Sequence, residues 1–147
     1  MSAAPAIALT VIVGCLIGLQ APVNSRLGNA VGNLPAAAIS FFIGTTVLVL
    51  LASVVGEGWS RVGEVRQVGW TYLTGGLLGA AYVATALVTV RALGAGGVTA
   101  ATIAGQLIAA LVVDQFGLLG VEQRGITPLR LAGVLLLAAG TALVVKG

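Results

Sequence analysis

Residues 34–55 read LPAAAISFFIGTTVLVLLASVV and lie inside a run from Leu27 to Gly56 that carries no charged side chain. A helix needs about 20 predominantly apolar residues to cross roughly 30 Å of hydrocarbon, and this stretch has that length. Its apolar residues are contiguous rather than alternating, so it reads as a helix and not as a strand of a membrane barrel. A helix apolar on every side has no face to give to water. Working outward, four further stretches have the same character: 3–21, 70–90, 98–119 and 128–145. The last is the shortest and spans only if Arg130, in its first turn, extends its guanidinium to the interface. These stretches predict an all-α integral membrane protein, a single transmembrane domain over residues 1–147 with five helices.

The composition excludes several functions. Of 147 residues, 59% are hydrophobic and 7% charged, against roughly 25% charged in a soluble domain. Seven basic and four acidic side chains cannot cover a water-soluble surface, so the lipid bilayer is the expected environment. The net charge of +3 is spread over short connectors, which argues against a nucleic-acid partner. There is no histidine, and the one cysteine, Cys15, sits in an apolar run. Neither a metal site nor an internal disulfide is expected, and no cofactor is implied. Glu57, Glu64 and Glu122 all fall in connectors, and no nucleophile elbow, HExxH or phosphate loop occurs, so enzymatic activity is not expected.

The ends of the spans carry helix punctuation. Ser2 before Pro5, Asn33 before Pro35 and Thr127 before Pro128 read as caps followed by first-turn prolines. Gly94, Gly96 and Gly97 read as a tight connector between the third and fourth spans. Trp59, Trp70 and Tyr72 flank the second connector, where interfacial aromatics belong. No basic region precedes Pro5, so the N-terminal run reads as a retained helix rather than a cleaved signal.

Five spans put Arg61, Arg66, Arg124 and Arg130 on one side and Arg26, Arg91 and Lys146 on the other. Four against three is close to a tie under the rule that Lys and Arg stay cytoplasmic. Such a chain is expected to insert both ways up, so that two copies meet antiparallel. The alternative is that Arg91 or Arg130 lies too deep to count and one orientation wins. An antiparallel pair would supply the two inverted halves that many transporters set around a midplane site.

Polar residues within the spans are the candidate site. Gln20 and Asn24 are four apart and share a face if the first helix continues past Pro22, which would free the carbonyl of Gly18. Otherwise the helix ends near Gln20 and the two amides cap it. Gln106, Ala110 and Asp114 recur at every fourth position of the fourth span. Asp114 is the lone acid inside a span; it is either a proton or cation acceptor, the ion-coupling candidate, or the partner of an arginine such as Arg91 or Arg26. That acid tilts the expected cargo towards cations or amphipaths. Tyr82, in mid-span, either lines the cavity or bonds a neighbouring carbonyl. Ser40, Thr45 and Thr46 are expected to bond their own helix carbonyls.

Twenty-two glycines suit close helix packing. The candidates are Gly14 and Gly18 on the first span, Gly75, Gly76 and Gly79 on the third, and Gly133 and Gly140 on the fifth. In order and spacing, four strings resemble the YdcZ-like family of the drug/metabolite transporter (EamA-like) superfamily. They are Gly14-x-x-x-Gly18-x-Gln20-x-x-x-Asn24-x-x-Leu27-Gly28, Ser40-Phe41-Phe42-Ile43-Gly44, Gly75-Gly76-Leu77-Leu78-Gly79-Ala80-Ala81-Tyr82-Val83, and Ile103-Ala104-Gly105-Gln106 with Asp114-Gln115-Phe116-Gly117-Leu118. The resemblance implies a bacterial inner-membrane protein, half of a ten-helix inverted-repeat architecture. Such a chain would work with dual topology as an antiparallel homodimer, or as a heterodimer with a paralogue. The expected function is alternating-access transport or export of a small molecule through a cavity lined by Gln20, Asn24, Tyr82, Gln106 and Asp114. The rivals are a passive channel in a dual-topology dimer and a non-transporting assembly subunit.

Overall fold

The computed structural model describes residues 2–55 and 59–147; Gly56 and Glu57 lie outside the described residues. Among the described residues every regular element is helical: α1 (Ala3–Val31), α2 (Asn33–Val54), α3 (Gly75–Phe116) and α4 (Pro128–Lys146). Short 3₁₀ segments cover Val62–Gln67, Trp70–Thr74 and Leu118–Gly120. Four helical stretches among the described residues are long and apolar enough to cross a membrane.

The longest of them, α3, would measure about 63 Å if it were straight, twice the hydrocarbon thickness. It is not straight, because Gly94 adopts φ 68° and ψ 169°. That backbone region is essentially closed to residues with a Cβ. The break separates two arms, 75–93 and 95–116, each about 30 Å long. The connector expected over Gly94, Gly96 and Gly97 is therefore confined to Gly94. Gly96 and Gly97 are helical, and a Cβ on either would meet Val144 or Val145 of α4 at 3.6 Å. At its far end α3 stops at Phe116, short of the expected 119, where Gly117 turns left-handed at φ 59° and terminates the helix.

α1 runs through Pro22 to Val31, so the alternative in which it ends near Gln20 is excluded. A helix of that length, roughly 44 Å, exceeds the hydrocarbon thickness. Gly32, at φ 92°, makes the joint to α2 and is that helix's N-cap. Asn33, expected as the cap, is instead the first helical residue, and its side chain is used elsewhere. Thr127 does cap α4, accepting a hydrogen bond from the Arg130 amide at 3.2 Å with Pro128 in the first turn. Trp59, Trp70 and Tyr72 are exposed around the α2–α3 connector. There the Glu64 carboxylate, hydrogen-bonded to Arg61, holds that guanidinium above its ordinary pKa.

The chain divides into two compact units, Met1–Gly18 with Ala92–Gly147, and Leu19–Arg91. Within the first, the Thr141 hydroxyl donates to the Ala100 carbonyl at 3.1 Å, and Gly18 faces Thr99 Oγ1, 3.8 Å from an added Cβ. Within the second, Ala36, Ala37, Val83 and Leu87 form a core, with Leu27 and Tyr82 against it. Alanine at the contact lets the backbones approach, the usual basis of packing where lipid removes the hydrophobic drive. Gly79 receives Phe41, 3.5 Å from an added Cβ. Gly14, Gly75, Gly76, Gly133 and Gly140 have nothing within 4 Å of an added Cβ. Among the described residues, then, these five glycines have open space beside them rather than a close helix neighbour.

Candidate functional site

The continuation of α1 through Pro22 places Gln20, Asn24 and Gly28 on one stripe, each one turn from the next. In the Leu19–Arg91 unit that stripe meets Tyr82, Val83, Ala86 and Leu87 of α3, forming a seam lined by Gln20, Ala21, Asn24 and those four residues. The seam has no room for a water molecule. Asn24 is 6% exposed, and its amide nitrogen is buried with no hydrogen-bond partner. A buried donor left unpaired costs about 1–3 kcal/mol, and water cannot enter to relieve it. Three of the five residues expected to share a cavity are therefore brought together here: Gln20, Asn24 and Tyr82.

Gln20 also borders a second groove of about 190 Å³ with Ser40, Phe41, Gly44, Thr45 and Leu48. Thr46 bonds the Phe42 carbonyl of its own helix at 2.9 Å, as expected for such hydroxyls. Ser40 and Thr45 instead face this groove. Their signal in the sequence was present, two hydroxyls five apart on an otherwise apolar helix, but spacing alone does not separate a lining hydroxyl from one bonded to its own helix.

One turn beyond Asn24, Gly28 lies beneath Arg91. The Arg91 Nε donates to Ser25 Oγ at 3.2 Å, and its Nη2 donates to the Ser25 carbonyl at 3.5 Å and to Asn33 Oδ1 at 2.7 Å. A Cβ on Gly28 would stand 2.9 Å from Asn33 Oδ1, 3.0 Å from Leu87 Cδ2 and 3.3 Å from Arg91 Nη2. A side chain there would make these three side-chain ends shift. The sequence offers Arg91 as a charge to count or as a partner for Asp114; its partners in the structure are not legible there, because they lie 58 and 66 residues away.

Gln106 and Asp114 belong to the other unit. Gln106 is exposed on the second arm of α3. Asp114 pairs with Arg130 at 3.3 Å, not with Arg91 or Arg26. The chain turns back at Gly117, bringing Arg124 to donate its amide to the Asp114 carbonyl at 2.7 Å, and the start of α4 follows. Gln115 fastens the same return: its Oε1 accepts from the Ile126 amide at 2.7 Å, and its carbonyl accepts from Gln123 Nε2 at 2.8 Å. A carboxylate so engaged ties a helix end to the next helix.

Neither a curated protein nor a solved structure matches the chain. The family described as "Putative inner membrane exporter, YdcZ" matches residues 5–143. With apolar helices of membrane length along nearly all of that range, the chain belongs to this exporter family and is a multi-pass protein of the inner membrane.

Proposed function

We propose that this protein is a five-span half-transporter of ten-helix inverted-repeat type, exporting a small molecule by alternating access as an antiparallel pair. The partner is a second copy or an oppositely biased paralogue. In this reading the Gly94 break divides α3 into the third and fourth spans, the whole chain acts as one transmembrane domain, and lipid surrounds the remaining faces. The observation that supports pairing best is the exposure of Gln20 and Gln106 on apolar helices of which little is buried within the chain. A primary amide facing hydrocarbon is costly, and an opposed copy offers it both polar partners and a path. The near tie of four basic residues against three supports insertion in both orientations.

Gln20, Asn24 and Tyr82 are the pathway residues of each copy, with Gln106 facing the shared path. We assign Asp114 to the structural ion pair with Arg130 and give it no coupling role. Counterflow in proteoliposomes tests the reading: labelled cargo should be taken up faster when unlabelled cargo is present on the far side. Conductance that never saturates would make the pair a pore instead, and no flux with any compound that binds would leave a non-transporting subunit.

A further inference from the structure

We propose that Arg91, with the Asn24 amide one turn away, forms a site for an oxyanion, either a carboxylate or a phosphate. Charge pairing points there first. Each described carboxylate already holds an arginine: Glu64 with Arg61 at 2.9 Å, Glu122 with Arg124 at 3.1 Å, and Asp114 with Arg130 at 3.3 Å. Arg91 differs, since its three bonds go to neutral oxygens of Ser25 and Asn33. Neutral partners orient a guanidinium without cancelling its charge. These bonds engage Nε and Nη2 and leave the two N–H groups of Nη1 for a ligand, out of the five a guanidinium carries. The side chain is exposed, so an anion can reach it in the structure as it stands.

The surroundings agree. No acidic side chain occurs on α1, α2 or the 75–93 arm of α3, so a cation entering here meets no countercharge. An oxyanion meets a fixed arginine and, one turn of α1 back from Gly28, a buried amide nitrogen that lacks an acceptor. Because the seam admits no water, a ligand bound at Arg91 gains the Asn24 bond only as α1 and α3 part. Gly28, whose missing Cβ makes room for the guanidinium, lies beneath Arg91 and one turn from Asn24. That the cargo itself is an organic acid or phosphate ester, rather than a cation, is the one step that rests on the transporter reading above.

The test titrates the purified full-length protein in neutral detergent with benzoate, phenyl phosphate and benzylammonium at matched ionic strength, followed by calorimetry and melting temperature. At least one anion should bind and raise the melting temperature, and benzylammonium should not. Arg91→Gln should weaken anion binding about tenfold or more. Arg91→Lys keeps the cation but not the planar fork and should fall between. Asn24→Ala, which leaves the Arg91 cluster intact, should weaken binding severalfold. If Arg91→Gln does not fold, the other two variants decide, and undiminished affinity in both overturns the site. Tighter binding of benzylammonium than of either anion, or no response to either soluble anion or to phosphatidylglycerol, also overturns it.

Phosphatidylglycerol added to the micelles separates the sources of the oxyanion. Stabilisation by the lipid alone assigns the site to a headgroup, stabilisation by soluble anions alone assigns it to a free ligand, and both uphold it. Cation flux in proteoliposomes without anion binding would refute this site and leave the transporter reading. Anion binding without flux of any compound would do the reverse.

Discussion

At the scale of single residues, two glycines hold positions that no other residue can take without cost, for different reasons. Gly94 is required by its backbone: φ 68° with ψ 169° is a conformation that costs a Cβ-bearing residue of order 1–3 kcal/mol. Gly94→Ala should lower unfolding stability in detergent by that amount. Gly105→Ala is the control, since Gly105 is helical and has open space beside it, and it should be neutral or gain up to about 1 kcal/mol. Equal tolerance of the two would mean that the strained break is not where the structure has it. Gly28 is required by its neighbours. An added methyl would come within 2.9 Å of Asn33 Oδ1, which is already held by Arg91 at 2.7 Å. Gly28→Ala should therefore cost about 1–3 kcal/mol as an overpacked contact. It should also loosen the bonds that hold Arg91 and raise its rate of modification by phenylglyoxal, and wild-type reactivity and stability together would contradict the cluster.

At the scale of elements, the helical character was legible throughout, because apolar length is a signal that survives without tertiary information. What the sequence left open were points where one local rule met another. Pro22 removes one backbone bond but stands in a long apolar helix, and α1 tolerates it. Asn33 has the chemistry of a cap but serves Arg91, and Gly32 takes its place by adopting φ 92°. The Gln20–Asn24–Tyr82 grouping could be read in advance, since an amide pair one turn apart and a mid-span phenol have few comfortable alternatives. The Ser25–Asn33–Arg91 cluster could not, because pairing across 58 to 66 residues follows from how the helices dock. The return at Gly117 likewise brings Arg130, only 16 residues away, to Asp114. The two side chains are 28% and 34% exposed, so the pair should be worth at most about 1 kcal/mol. Asp114→Asn and Arg130→Gln should each cost up to that much, and the double variant little more than either single one. If Asp114→Asn abolishes a pH dependence of uptake that Arg130→Gln retains, Asp114 carries protons and the structural assignment fails.

At the scale of the whole molecule, the number of spans and the orientation of the chain are one question. If α3 crosses the bilayer twice, broken at Gly94, the chain crosses five times and its ends lie on opposite sides; if α3 counts once, they lie together. With four basic residues against three, a tail of about three lysines outweighs the natural bias. Placed after Gly147, it should hold the C-terminus in the cytoplasm and the N-terminus outside. Placed before Met1, it should invert the molecule. Accessibility of tags at both ends reads the result in intact cells, and opposite exposure of the two ends of a locked chain establishes an odd count. Each locked form alone should then lose transport, because every copy faces the same way and the exposed amides of Gln20 and Gln106 find no opposed partner. Co-expression of the two locked forms should restore it. Transport by one locked form at the level of the unmodified chain would reject the antiparallel pair, even if the span count held, and would move the path inside a single copy or a parallel assembly.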